Sequence, residues 1–202
     1  MKLLAFDLST RRGTIALADN EEVLCAYDWP NNRRTSAPFF AALNKMIRGY
    51  GAPEYIVIGL GPGSYTGTRI AISAGIGLHA TGGAALSGMP SVCAISEEDE
   101  YCVIGDAKRA SFFFATICGG LMTSVPELLS QRELNERISS ITTIPIYSSD
   151  DLPCFDRVKL RFPSAKSLCQ LARTFPQKLI RPPLSPIYLR EPHITTPRTT
   201  LN

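Results

Sequence analysis

With 202 residues, 45 % of them hydrophobic, and a formal charge of +3, the chain has enough apolar matter for one large domain or two small lobes, and too much for a disordered polypeptide. No window approaches the roughly 18 apolar residues of a membrane span. The opening Met1-Lys2-Leu3-Leu4-Ala5-Phe6 meets Asp7 too soon for an export signal, so a soluble, cytoplasmic protein is expected. Six cysteines stand at 25, 93, 102, 118, 154 and 169 with no Cys-x-x-Cys pair, which argues against a zinc cluster and for reduced, mostly buried thiols.

Charge is uneven along the chain. Residues 1–151 hold 12 Lys/Arg against 16 Asp/Glu, whereas residues 152–202 hold 9 against 2. A basic C-terminal quarter is either a solvated face or a surface for an acidic partner or RNA.

Lys2–Leu8 reads as an apolar strand, Arg11-Arg12-Gly13 as a turn, and Thr14–Ala18 and Val23–Trp29 as the next strands of a three-stranded meander. Ser36 and Pro38 suit a helix start, and Phe39, Phe40, Leu43, Met46, Ile47 and Tyr50 recur at helical spacing. Tyr55–Ile58 is a short continuous apolar strand. The loop Gly59-Leu-Gly-Pro-Gly-Ser-Tyr-Thr-Gly-Thr-Arg-Ile70 follows it, then a helix over Thr66–Ala80 rich in small residues. Gly67, Ala71 and Gly75 fall four apart, so one helix face is nearly bare backbone and suits close packing, internal or with another subunit. Ala84–Ser87 reads as a strand and Ser91–Ile95 as a short helix.

The acidic run Glu97–Glu100 suggests a lobe boundary, giving a first lobe over 1–98 and a shorter second lobe over 99–202 with a proline-rich basic tail. Past that boundary Tyr101–Ala115 repeats the opening pattern: an apolar strand ending in Asp106, a basic turn, and another apolar strand. Further on, Glu127–Ile138 reads as a polar amphipathic helix and Pro163–Phe175 as a proline-started one, with short strands at Ile144–Tyr147 and Val158–Leu160.

Two places carry candidate chemistry. Asp7 at a strand end, followed by Ser9 and Thr10, can hold phosphate-bound magnesium through water, or its carboxylate can simply accept backbone amides in a turn. Paired hairpins at Asp7 and Asp106 can grip a nucleotide, yet the glycine usual two residues after the aspartate is replaced by Ser9 and Lys108. In the loop, Gly61, Gly63 and Gly67 permit close backbone approach, and Ser64 or Thr66 can cap the following helix. Such a unit is either an anion site at a helix N-terminus or a tight turn built for packing. It lacks the Gly-Lys-Ser/Thr ending of a P-loop. The histidines, His79 and His193, are over a hundred residues apart and nominate neither a metal site nor a catalytic triad.

Phe-Asp-Leu-Ser-Thr at the start, Gly-Pro-Gly-Ser-Tyr-Thr-Gly-Thr-Arg-Ile, Asp-Ala-Lys-Arg, Pro163-Ser-Ala and Pro186-Ile-Tyr-Leu-Arg190 together resemble the TsaB (YeaZ) family across nearly the whole chain. The resemblance implies an α/β, actin/Hsp70-like (ribonuclease H-like) fold of two related lobes. It implies a non-catalytic role in making N6-threonylcarbamoyladenosine in tRNA, beside a catalytic TsaD-like paralogue and a TsaE-like ATPase, with tRNA met indirectly through the complex. It also implies no required cofactor, weak or absent ATP/ADP binding, and a homodimer when the chain is alone. Docking through first-lobe helices would place Phe40, Leu43, Ile47, Gly67, Ala71 and Gly75 at the partner surface. Gly88–Ile95 holds no ligand where TsaD-like chains place their metal-binding histidines. The chain departs from the family at Asn31–Ser36, which lacks a His-Ser, and at Thr68 and Ala71, which replace the usual Leu and Gly. An ATP-binding or ATP-hydrolysing enzyme of the same fold, using Asp7, Thr10, Asp106 and the glycine loop, is the alternative.

Overall fold

The computed structural model describes residues 1–31 and 36–190; the departure at residues 32–35 and His193 therefore lie outside the described residues. Two sheets form the frame, each built from an antiparallel hairpin extended by parallel strands. The first has the order β3-β2-β1-β4-β5, with β1 Lys2–Asp7, β2 Arg12–Asp19, β3 Glu22–Pro30, β4 Tyr55–Gly59 and β5 Ala85–Met89. The second has the order β11-β10-β6-β7-β8, with β6 Glu100–Asp106, β7 Ser111–Cys118, β8 Leu121–Met122, β10 Ile146–Ser148 and β11 Val158–Leu160; β9 Glu127–Ser130 also pairs with β7. The repeat is thus structural: β1 and β6 each end in an aspartate, pair antiparallel with the following strand and parallel with a later one. This is the actin-like, ribonuclease H-like α/β architecture.

Alternation along β1 sends side chains to two cores. Leu4 and Phe6 meet Ile15, Leu17, Ile56 and Ile58, under helices α1 Ala37–Tyr50 and α2 Tyr65–Gly82. Leu3 and Ala5 face the other way, with Ala16, Ala18 and Val57, under α4 Ala165–Thr174. Leu168, Cys169 and Ala172 are the buried stripe of α4, and the Ala165 amide donates to Thr14 Oγ1 at 3.1 Å.

Two expectations need correction. Residues 165–174 fall in the stretch expected to belong to the second lobe, but α4 covers the first sheet. Its apolar stripe fits the face of β1, β2 and β4 that α1 and α2 leave open, which sequence order cannot reveal. And Glu127–Ile138 is not one helix: Glu127–Ser130 is the strand β9, and α3 starts at Gln131 and runs to Ser140. A capping box fixes that start, since Ser130 Oγ accepts from the Glu133 amide at 3.3 Å while Glu133 Oε2 accepts from the Ser130 amide at 2.7 Å. Ser36 stands at the cap position of α1 but makes no side-chain cap bond; Pro38 occupies the first turn as expected. No helix is long and apolar enough to cross a membrane among the described residues.

Candidate functional site

The two hairpin turns, the glycine-rich loop and the 3₁₀ turn Ser91–Ala94 converge on a cleft between the lobes, a cavity of about 260 Å³. Ser9, Thr10, Gly63, Ser64, Thr66, Gly67 and Asp106 all line it. Sequence reasoning missed Lys108 as a wall residue, and also Ser91, Ser149 and Asp150. Asp150 had no motif to announce it, yet its Oδ2 accepts the Asp106 amide at 2.9 Å and so fixes the end of β6. Much of the remaining wall is apolar, with Phe39, Ile70, Val103 and Phe113 among its members.

Asp7 does not reach the cleft. It is 0 % exposed, and its Oδ1 accepts from the Ser9 amide at 2.8 Å and the Ser9 hydroxyl at 2.7 Å. Its Oδ2 has no hydrogen-bond partner among the described residues. Burial raises its pKa above the usual carboxylate value, against the opposing influence of the nearby Ser91 and Ser9 hydroxyls. Of the two readings open for Asp7, the structure has the turn: the buried carboxylate accepts the Ser9 amide and hydroxyl through Oδ1. Gly59 makes room for this arrangement, since a Cβ there would fall 1.8 Å from Asp7 Oδ2.

Asp106, the aspartate of the repeated hairpin, behaves oppositely. Its Oδ1 accepts the Lys108 amide at 2.7 Å, and its Oδ2 pairs with the Lys108 ammonium. Lys108 thereby holds the Asp106 carboxyl below its usual range. The turn beyond it carries three consecutive residues at positive φ, Lys108, Arg109 and Ala110, at 64°, 55° and 55°. None is glycine, so each is held in a sparsely populated region. Asp106 and Ser111 do the holding: the Ser111 hydroxyl donates to the Lys108 carbonyl at 2.8 Å, and the Ala107 amide to the Ser111 carbonyl at 2.9 Å.

The glycine-rich loop makes the tight turn through its own hydrogen bonds. The Gly61 amide donates to Ser91 Oγ at 2.8 Å, the Ser64 amide to the Ser9 carbonyl at 2.6 Å, and the Gly67 amide to Ser64 Oγ at 3.2 Å. Three of the loop's amides are thus bonded inside the first lobe. Ser64, rather than Thr66, is the helix cap. The glycines serve close packing on the first hairpin. A Cβ on Gly63 would stand 2.2 Å from the Ser9 carbonyl oxygen, and one on Gly67 would stand 1.9 Å from that of Leu8. Gly61 turns the chain at φ +92°.

The bare helix face is corrected in the same way. Ala71 is 0 % exposed, and a Cβ on Gly75 would lie 2.4 Å from Ile58 Cδ1. Gly67, Ala71 and Gly75 lie against their own lobe, as does Leu43, and Ile47 packs on the same core. Of the expected partner residues only Phe40 is largely in solvent, 47 % exposed. On α2 the exposed apolar side chains are Tyr65 and Ile76, which no small-residue pattern could have revealed.

His79 is exposed, with Nδ1 2.7 Å from the Ala84 carbonyl. Among the described residues no group of three or more His, Cys, Asp and Glu side chains is placed to hold a metal ion. The cysteines among them are all free; burial pushes the thiols of Cys93 and Cys169 up to about 12, so they pack as small apolar groups.

Comparison with solved structures finds this fold again. An uncharacterized protein with similarity to peptidase YeaZ from Pseudomonas aeruginosa superposes with a TM-score of 0.74 at 17 % identity, over 94 % of this chain and 99 % of that one. YeaZ from Pseudomonas aeruginosa gives 0.71 at 20 % identity, over 93 % and 99 %. No family model matches the sequence, and no curated protein does.

Proposed function

We propose that the chain is a TsaB-like, non-catalytic subunit that binds and activates a TsaD-like threonylcarbamoyltransferase in tRNA modification. The observation that carries this reading is the glycine-rich loop. Its most family-specific residues are spent on packing the first hairpin against α2, with the amides at Gly61, Ser64 and Gly67 bonded internally. A loop of that kind builds a rigid lobe and leaves few groups for chemistry. The fold of YeaZ, shared over nearly the full length of both chains, supports the same reading. The docking surface in this proposal is the solvent side of α1 and α2, centred on Phe40 and Ile76, which are 47 % and 50 % exposed; the small-residue face lies beneath it.

Reconstitution tests the proposal. The host's TsaD-like paralogue, its TsaE-like ATPase, threonylcarbamoyl-AMP and unmodified tRNA are combined with and without this chain. Multi-turnover formation of the modified base is expected only with it, and Phe40→Asp with Ile76→Asp is expected to lower turnover at least tenfold while leaving the fold intact. Turnover indifferent to the chain would refute the reading.

A second reading, ATP binding in the cleft, draws on the convergence of Ser9, Thr10, Thr66 and Asp106 on one cavity. A calorimetric titration with MgATP separates the two: micromolar affinity favours this reading, and absent binding removes it.

A further inference from the structure

The stretch beyond α4 returns across both lobes. Ile180 exchanges two backbone hydrogen bonds with Gly88 of β5, both 2.8 Å long. The Ile187 amide then donates to the Leu60 carbonyl at 2.8 Å, and Ile187 packs on the first-lobe core. The Tyr188 ring lies 5.7 Å from that of Tyr65. Leu189 next leaves the first lobe, lines the cleft and packs against the core of the second sheet, beside Val103 and Phe113. Arg190 finally donates to the Ser111 hydroxyl, on the hairpin that bears the left-handed turn.

From this path we propose that residues 186–190 are a releasable strap that holds the two lobes together and gates the cleft. One side chain, Leu189, fills space that a ligand would need, and the cavity left beside it is smaller than the roughly 300–1,000 Å³ of typical small-molecule sites. Among the described residues the fastenings on the far lobe are a half-buried leucine and one solvent-exposed hydrogen bond, both cheap to break. On the near lobe the strap is held by backbone bonds and apolar packing. Release therefore begins at Arg190, frees Leu189 and opens the cleft, while Ile180 stays docked on β5. This gating stands independently of the partner reading above.

The test uses the full chain with amide hydrogen exchange and an apolar probe, anilinonaphthalene sulfonate. Arg190→Ala removes the far hydrogen bond alone, and Ser111→Ala removes it together with the bond to the Lys108 carbonyl; neither touches a core. Both are expected to speed exchange of the Ile187 amide at least threefold and to leave the Ile180 amide unchanged. Leu189→Asp is expected to raise probe fluorescence severalfold with the thermal midpoint still cooperative. Unchanged Ile187 exchange in both fastening variants would overturn the strap, as would acceleration that is equal at Ile180, which would signal general loosening. If Leu189→Asp fails to fold, the exchange of the two fastening variants decides alone.

Discussion

The two hairpins carry one motif and do opposite things with it. In the first, Asp7 is buried, its carboxyl pushed up by desolvation and sealed by Ser9. In the second, Asp106 faces the cleft and is held down by Lys108. For the first the cause lies outside the hairpin, and for the second within it. The first is covered by the glycine-rich loop, whose Ser64 amide bonds the Ser9 carbonyl and whose Gly63 sits against it. Across the cleft, the turn over Lys108–Ala110 closes instead on its own Asp106 and Ser111. A strand–aspartate–turn motif therefore fixes the position of a carboxylate, and its surroundings, burial at Asp7 and the turn's own Lys108 at Asp106, set the direction in which its pKa moves.

The contrast can be broken most severely at its cover. Ala71→Arg puts a guanidinium into the first-lobe core and is expected to cost about 4 kcal/mol or more, seen as loss of cooperative melting. That variant consequently reports on folding and is useless as a probe of partner docking. Gly67→Ala drives a methyl onto the Leu8 carbonyl and should cost about 2 kcal/mol by denaturant titration. Gly77→Ala, on the same helix with nothing within 4 Å, should gain about 0.5–1 kcal/mol. If both alanines behave alike, the loop is not packed on the hairpin as described.

The aspartates sharpen the comparison through pH. Asp7 has a raised folded-state pKa, so the folded chain binds more protons than the unfolded one between the ordinary carboxylate value of 3.8 and that raised value. Its contribution to stability falls as pH climbs through this window. Asp7→Asn is expected to flatten that fall and to keep or raise the melting midpoint at neutral pH. Asp106 has a lowered pKa, so its contribution is present above 3.8 and fades as pH drops through the folded value. Because the pair with Lys108 is exposed, Asp106→Asn should shift stability by no more than about 0.5 kcal/mol. A larger loss with Asp106→Asn than with Asp7→Asn at neutral pH would reverse the roles assigned to the two hairpins.

The first lobe was legible from the sequence because its signals are local. Alternation in Thr14–Ala18, helical spacing of Phe39, Leu43 and Met46, and the glycine-rich punctuation after β4 each specify their own element. The repeated hairpin was legible too, since it depends on a pattern and not on contacts. What stayed hidden depends on distant partners. Nothing in Leu168, Cys169 and Ala172 says which sheet they cover. The small residues at 67, 71 and 75 promised close packing, but whether sheet or partner receives them is a question of tertiary contact. The burial of Asp7 needs Ser9 and Gly59 in three dimensions. The strand Glu127–Ser130 is recoverable from the sequence: the Ser130-x-x-Glu133 box marks where a helix begins, although amphipathic spacing runs across it.

The placement of α4 has a consequence for the birth of the molecule. Leu3 and Ala5 leave the ribosome some 165 positions ahead of Leu168 and Cys169, which cover them. At about 5–20 residues per second, the underside of the first sheet stays bare for on the order of ten seconds or more. During that interval a nascent chain exposes an apolar strand surface of the kind that chaperones shield, so the lobe made first is completed last.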